Sequence, residues 1–185
     1  YNIAEVNGIT NVGGIVGYCQ CYAYGGTMNV SIDKCYNIAD INGSSQVGGI
    51  LGCWYTNNYS DGVTNGSIDN CYCTGSTSGN NSIGGIVGEL QNATVANNYY
   101  NGDIIRTSGS YSYLGALVGY VGSAGGLIKN NFTTTITTVM GNPLTTSSSL
   151  ESVSGYGTYE NNYVFDVAEL AAQGYGTVIK GAAWG

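Results

Sequence analysis

A glycine-rich hexapeptide recurs along this chain at nearly constant spacing, and it restricts the possible folds more than any other feature. Its copies are Val12–Gly17, Val47–Gly52, Ile83–Gly88 and, more loosely, Leu114–Gly119. Their first residues lie 35, 36 and 31 positions apart. Internal repetition with a period of about 20 to 50 residues is typical of solenoids and propellers, not of an ordinary globular core.

A second block repeats in phase with the hexapeptide. It combines a large residue with Asn or Cys and an aromatic residue, at Ile32–Asn37, Ile68–Cys73, Val95–Tyr100, Ile128–Phe132 and Tyr159–Tyr163. A third β-rich piece, such as Ile38–Ile41, completes each period, and Gly- and Asn-rich corners separate the three pieces. The pattern predicts an all-β chain folded as a parallel right-handed β-helix with coils of about 35 residues.

The repeats are predicted to occupy residues 1–140, and residues 141–185 a degenerate last coil with a C-terminal cap. Asp166 and Gly174 enclose the best helix candidate, with Asp as the N-cap and Gly just past the end. We expect a short capping helix there because the terminal coil of a solenoid exposes unpaired strand edges.

Period-two alternation assigns side chains to the two faces of each strand. From Cys35 to Ile41, one set consists of Cys35, Asn37, Ala39 and Ile41, and its small or apolar character predicts that it faces inward. Tyr100 occupies the same set in a later coil and is large for that position. Amide hydrogen bonds between coils are then expected along an inner column formed by Cys35, Cys71, Asn98, Asn131 and Asn162.

The opposite face is predicted to carry an exposed aromatic column, formed by Tyr36, Tyr72, Tyr99, Phe132 and Tyr163, with Tyr1 at its start. Two interpretations stay open for this column. Rings stacked between neighbouring strands stiffen a sheet, and a flat row of rings also suits sugar rings or a partner protein.

Charge and hydropathy exclude two classes of partner. The formal net charge is −7, and the four basic residues Lys34, Arg106, Lys129 and Lys180 form no cluster, which argues against nucleic acid. No apolar run reaches the roughly 18 residues of a spanning helix, so we expect no membrane insertion. The hexapeptide lacks a following helix and a nearby basic residue, which argues against a phosphate-binding loop. We expect no cofactor.

The six cysteines allow several interpretations. Cys35 and Cys71 occupy the same repeat position, so they are predicted to stack as small buried groups, and this stacking also brings them within range of a disulfide. A zinc site is a more specific interpretation than packing or a disulfide, and its candidate ligands are the cysteines of Cys19-Gln20-Cys21 and Cys71-Tyr72-Cys73. The C-x-C spacing without histidine is a weak zinc signal, so we predict no metal site.

Length variation is confined to the corner between the hexapeptide and the next block. Tyr18–Ser31 and Cys53–Ser67 are the long versions and are predicted to be projecting loops, which carry function more often than strand ladders do. An equally weighted alternative is that their rings only pack the loops down. The candidate ligand-binding residues are Tyr18, Tyr22, Tyr24, Trp54, Tyr55 and Tyr59.

Sequons of the form Asn-x-Ser/Thr mark acceptors for N-glycosylation if the source modifies asparagine. Those singled out here are Asn29, Asn58, Asn65 and Asn92.

A pair of carboxylates raises the question of catalysis. Asp33 and Asp69 occupy equivalent positions on successive coils, about 5 Å apart by strand spacing. Retaining glycosidases hold their carboxylates at such a separation. Ala96 and Lys129 continue the column, however, and no basic residue is paired with it, so we predict no catalytic residues and no enzyme.

The two in-phase blocks together resemble the GLUG motif of bacterial secreted and surface proteins, which occurs in non-catalytic regions of immunoglobulin A peptidases. The resemblance covers about residues 1 to 140 and departs at Leu114–Leu117. It implies an extracellular or cell-surface repeat region without catalytic residues in the motif itself.

We therefore expect an extracellular structural or adhesion module, a stiff solenoid that presents aromatic loops to a host or cell-surface glycan or protein. The alternative is a self-assembling subunit of an extracellular fibre that associates end to end. A polysaccharide-acting β-helix enzyme is a weaker third hypothesis.

Overall fold

A computed structural model describes residues 1–109, 113–144, 155–166 and 168. These residues form a parallel β-solenoid of about four turns with coils of about 35 residues, as predicted. None of the residues described belongs to a helix long and apolar enough to cross a membrane. The expected helix Asp166–Gly174 lies almost entirely outside the described residues, although Asp166 Oδ1 accepts a hydrogen bond of 2.7 Å from the backbone N–H of Ala168.

Four sheets run along the solenoid, each built from one strand or strand pair per coil. Sheet 1 comprises β1 (Val6–Asn7), β6 (Ile41–Asn42), β11 (Thr77–Gly79), β16 (Asp103–Arg106), β20 (Thr138–Val139) and β21 (Asn142–Pro143). Sheet 2 comprises β2 (Thr10–Gly13), β7 (Ser45–Gly48), β12 (Asn81–Gly84) and β17 (Leu114–Gly115). All pairs are parallel except β20 with β21, which is antiparallel.

Sheet 3 contains the longest strands. Its first half comprises β3 (Val16–Tyr24), β8 (Leu51–Tyr59) and β13 (Val87–Leu90), and its second half β4 (Thr27–Asp33), β9 (Val63–Asp69), β14 (Thr94–Ala96) and β22 (Gly155–Glu160). The single strand β18 (Val118–Lys129) joins the two halves. Sheet 4 comprises β5 (Tyr36–Asn37), β10 (Tyr72–Cys73), β15 (Tyr99–Tyr100), β19 (Phe132–Thr134) and β23 (Tyr163–Phe165).

The hexapeptide copies stack in register, and this stacking gives a reason for the glycines that they contain. Val47 pairs with Val12 on one side and with Ile83 on the other. In the first three copies the second glycine faces an inward side chain of sheet 4, and a Cβ on Gly85 would lie 2.4 Å from the ring of Tyr100. Tyr100 is completely buried, and its hydroxyl donates to the carbonyl of Asp103 at 2.9 Å, so the glycine makes room for a large residue of the next coil.

The asparagine column is confirmed as an inner ladder. Asn98 Nδ2 donates to Asn131 Oδ1 at 2.9 Å, and Asn131 Nδ2 donates to Asn162 Oδ1 at 3.0 Å. The same three amides donate to the backbone carbonyls of a preceding coil, at Ile68, Val95 and Ile128. Each ladder residue follows a residue in the left-handed conformation, with φ between 51° and 58° at Asn97, Asn130 and Asn161. The corner therefore needs asparagine twice, once for the backbone and once for the ladder.

The aromatic column is only partly a surface feature. The rings of Tyr1, Tyr36 and Tyr72 stack with centroids 5.0 and 4.9 Å apart, and Tyr163 is 50% exposed. Tyr99 is only 4% exposed, so its predicted place on the surface is wrong. Tyr99 lies in the middle of the column, in register with Tyr72 and with Phe132, and its ring stacks on that of Phe132 with centroids 5.0 Å apart.

Candidate binding faces

The two long corner stretches are strands, not the loops that the sequence predicts. In the first coil β3 extends to Tyr24, turns at Gly25 and Gly26, and returns as β4. These two glycines have φ of 83° and 72° with open space around them, which suits the tight turn. In the second coil β8 and β9 make the same excursion. We call β3 and β8 the first arms, β4 and β9 the second arms, and the whole projection the wing.

The arms of the wing pack against each other through their inner faces. Trp54 lies between them with 0% exposure, and its Nε1 donates to Thr56 Oγ1 at 2.9 Å. A Cβ on Gly66 of the second arm would lie 2.4 Å from Trp54 Cζ2, so this glycine provides the space for the indole. Trp54 is thus a core residue of the wing. The prediction that it binds a ligand is wrong, because its side chain lies on the inner face of β8.

The other five candidate residues share the outer face of the first arms. We define the tyrosine face as Tyr18, Gln20, Tyr22 and Tyr24 of β3 with Tyr55, Asn57 and Tyr59 of β8. The parallel register places Tyr24 beside Tyr59, and their rings stack with centroids 4.9 Å apart at an interplanar angle of 7°. Tyr24 is 75% exposed and Tyr59 41%, so this stacked pair leaves ring surface open to solvent.

Amide groups are interleaved with the phenols on this face. Gln20 Nε2 donates to the hydroxyl of Tyr22, and Asn57 Nδ2 donates to the hydroxyls of Tyr59 at 3.0 Å and Tyr55 at 3.5 Å. Burial raises the pKa of Tyr18 above its usual value, and neighbouring Cys53 adds to the shift. This phenol is therefore neutral at neutral pH and can donate hydrogen bonds.

The tyrosine face continues onto later coils through residues that the sequence analysis missed. Glu89 lies in register with Cys53 and with Tyr120, and it accepts a hydrogen bond of 3.2 Å from Gln46 Nε2. The ring of Tyr120 stacks on that of Tyr113 at 4.7 Å. The available signal was repeat alignment, since the residue that follows the hexapeptide is Tyr18 in the first copy and Tyr120 in the fourth.

The outer face of the second arms carries a different surface, a groove of about 1140 Å³. Its side chains form columns across the coils, because Ser31, Ser67 and Thr94 are in register, as are Asp33 and Asp69. We call this surface the polar groove; its lining also includes Asn29, Asn65, Asn70, Asn92 and Lys129. The two arms meet through their inner faces, so the polar groove and the tyrosine face lie on opposite sides of the wing.

The polar groove contains three of the four highlighted sequons and the carboxylate pair. Asn65 Nδ2 donates to Asn29 Oδ1 at 2.9 Å, while the amide of Asn58, outside the groove, accepts from Thr64 Oγ1 at 2.8 Å. Asn70 Nδ2 donates to Asp33 Oδ1 at 2.8 Å, and this hydrogen bond, with Lys34 nearby, lowers the pKa of Asp33. A carboxyl with a lowered pKa suits hydrogen-bond acceptance better than proton donation.

All six cysteines carry free thiols, including Cys35 and Cys71 of the predicted pair. The Sγ atoms of Cys19 and Cys21 lie 3.9 Å apart on the inner face of β3. Burial raises the pKa of Cys53, Cys71 and Cys73 to about 12. Thiolates are the species that bind metals and attack electrophiles, so these three thiols behave as packing groups. Across the described ranges, no three residues of the His, Cys, Asp or Glu type are grouped to hold a metal ion.

Comparison with models of protein families, with curated proteins and with solved structures gives no match. The resemblance to the GLUG motif therefore stays a prediction.

Proposed function

We propose that this protein is an extracellular structural and adhesion module that binds a host or cell-surface glycan through the tyrosine face. The observation that carries the proposal is the stacked, exposed pair of Tyr24 and Tyr59 among the amides of Gln20 and Asn57. An aromatic ring offers a flat apolar surface to the C–H face of a sugar, and amides and phenols bond its hydroxyls.

The shape and charge of the face favour a neutral glycan. Its side chains come from two adjacent nine-residue strands, so the surface is broad and supported by a parallel ladder. Glu89 at its border and a net charge of −7 repel acidic sugars. The proposal assigns binding to this surface and no catalytic role to any residue.

A quantitative test compares matched tyrosine variants on an array of glycans and by calorimetry with each glycan that binds. Each ring contact of this kind contributes about 0.5–1.5 kcal/mol, so Tyr24→Ala combined with Tyr59→Ala should weaken binding by about fivefold to about 150-fold. Tyr24→Phe should retain most of the affinity, because stacking needs the ring and not the hydroxyl.

Tyr163→Ala is the matched control, since Tyr163 is exposed to a similar degree but belongs to sheet 4. Equal binding by the wild type and the Tyr24/Tyr59 double variant would remove the proposal, as would an equal loss in the Tyr163 control. Trp54→Ala does not serve as a binding variant because it opens a cavity inside the wing.

End-to-end association is the second candidate. Among the described residues, β2, β3 and β4 of the first coil pair only with strands of the second coil, which leaves the other backbone edge of these three strands without a partner strand. A second copy offering a strand edge of matching register would satisfy that edge. Sedimentation velocity over a wide concentration range tests this candidate, and a species that stays monomeric throughout would rule it out.

A further inference from the structure

We infer that the polar groove is a second binding site, which takes a neutral, hydroxyl-rich oligosaccharide. The groove lies on the second arms, away from the tyrosine face, and the inference does not depend on the function proposed for that face. Its volume of about 1140 Å³ exceeds the roughly 300–1000 Å³ of pockets for drug-sized ligands. A groove of this size accommodates several sugar units.

A column of hydroxyl groups forms the centre of the groove. Ser31, Ser67 and Thr94 pair in register across β4, β9 and β14, so their side chains repeat at the strand spacing of about 4.8 Å. In the described part of the chain, none of these three hydroxyls has a hydrogen-bond partner within the protein. Each can both donate to and accept from a ligand, as sugar hydroxyls also do.

Amides and carboxylates flank the hydroxyl column. The bond from Asn65 to Asn29 uses one N–H of Asn65 and the carbonyl oxygen of Asn29, which leaves the N–H groups of Asn29 and the carbonyl of Asn65 for a ligand. On the other side Asp33 and Asp69 add four carboxylate oxygens, one of which already accepts from Asn70. The groove thus presents donors and acceptors at fixed spacing before any ligand arrives, which lowers the entropic cost of binding.

Other ligand classes fit these surroundings less well. A polypeptide that adds as a β-strand would pair with the open edge of β4, at the border of the groove, and would not cover its centre, because β9 lies between β4 and β14, and β14 lies between β9 and β18. Lys129 is the one basic residue among those that line the groove, which is too little for nucleic acid. The carboxylates of Asp33 and Asp69 repel acidic sugars. A neutral oligosaccharide, bound edge-on through its hydroxyls, satisfies all three constraints.

The test is an NMR titration of the full 185-residue chain, labelled with ¹⁵N. The probes are short oligomers of glucose, mannose and galactose, each added separately, with a uronic acid oligomer as the acidic comparison. We expect at least one neutral probe to cause saturable shifts at the backbone amides of Ser67 and Thr94. Ser67→Ala combined with Thr94→Val should weaken that binding at least about tenfold, because two hydrogen bonds are lost.

Both substitutions lie on a solvent-facing side of paired strands, and valine favours a strand, so the fold should be retained. Unchanged shifts in sheets 1 and 4 verify this. The tyrosine-face variant Tyr24→Ala with Tyr59→Ala should leave the groove shifts as they are. The inference is overturned if no neutral probe shifts the groove amides, if the groove variant binds as well as the wild type, or if the acidic oligomer binds more tightly. Groove shifts without any response at the tyrosine face would support this site and refute the function proposed for that face.

Discussion

Replacing Asn131 by alanine should lower the free energy of unfolding by about 3–6 kcal/mol. The Asn131 side chain makes four hydrogen bonds: it donates to Val95 O and Asn162 Oδ1, and it accepts from the backbone N–H and the Nδ2 of Asn98. Alanine removes the partner of three buried groups, namely Val95 O, the backbone N–H of Asn98 and one N–H of Asn98 Nδ2, whose other N–H still donates to Ile68 O. Each orphaned buried group costs about 1–3 kcal/mol, so three would cost about 3–9 kcal/mol, and relaxation keeps the sum in the lower half of that range.

Cysteine at the same position should cost distinctly less. Cys71 occupies the equivalent position in the second coil, where its Sγ accepts from the N–H of Cys35 at 3.4 Å and donates to Asp69 O at 3.0 Å. A thiol therefore fits the column and replaces part of the ladder with weaker bonds. Asn131→Cys should lose about 1–3 kcal/mol, since it makes the bonds with poorer geometry.

Aspartate should cost the most at neutral pH. It matches asparagine in shape but cannot donate to Val95 O or to Asn162 Oδ1, and it would place a carboxylate in a column that is 0% exposed at Asn131. A buried charge without an opposite charge beside it is more expensive than a missing hydrogen bond, even though the carboxylate would still accept from Asn98. The expected order of stability is therefore wild type, cysteine, alanine, aspartate.

Urea unfolding followed by circular dichroism provides the measurement, with the fluorescence of buried Trp54 as a second probe of the wing. Equal slopes in the variants and the wild type are needed before midpoints are converted to free energies. The reasoning fails if Asn131→Ala lies within about 1 kcal/mol of the wild type, or if Asn131→Asp is as stable as Asn131→Cys, because the ladder would then contribute little.

Two further predictions follow from single residues. Lys34 has φ of 53° where later coils have asparagine, so Lys34→Asn should raise stability by about 0.5–1 kcal/mol in thermal melts, and Asn70→Lys should lower it similarly; a lower midpoint for Lys34→Asn would contradict the strain argument. Burial raises the pKa of Cys73 from 9.0 to about 12. Between these two values the thiol ionises in the unfolded chain but stays protonated in the folded protein. The stabilisation that the buried thiol provides is therefore complete below pH 9 and is lost as the pH rises toward 12. Stability should then fall with a slope up to about 1.4 kcal/mol per pH unit steeper in the wild type than in Cys73→Ala, in urea titrations over this range, and equal slopes would refute it.

The features that repeat were predictable from the sequence. The solenoid, the inward placement of Asn37 and Ile41, and the asparagine ladder all follow from a period of about 35 residues combined with strand alternation. Tyr100 also took its inward place despite its size, because Gly85 leaves room for the ring. When equivalent positions of several coils carry the same type of residue, that agreement shows which face of the strand is inward. The sequence of a single strand would not be enough.

The features that differ between coils were harder to predict. Tyr18–Tyr24 alternates large and small residues as a strand does, yet its length and aromatic content suggested a loop. The same alternation would have separated Trp54 from Tyr55, since neighbours along a strand face opposite sides. The polar groove had no local signal, because it arises where the long arms of two coils meet the short turn at Asn92 of the third.

Stability and binding should be separable in this molecule, because alternate residues of the same strands face inward, where they stabilise the fold, and outward, where they can bind a ligand. In β8 the inward residues Trp54 and Thr56 hold the wing together, while the hydroxyls of the outward Tyr55 and Tyr59 accept hydrogen bonds from Asn57 of the same face. In β9 the inward Ile68 belongs to the core, and the outward Ser67 faces solvent in the groove. Surface substitutions away from packed or strained positions usually change stability by less than about 0.5 kcal/mol. The groove variant should therefore keep the unfolding midpoint of the wild type, and the Tyr24/Tyr59 variant should lose no more than the roughly 1 kcal/mol of one stacked pair of rings. The larger part of any affinity that they lose then belongs to the face itself.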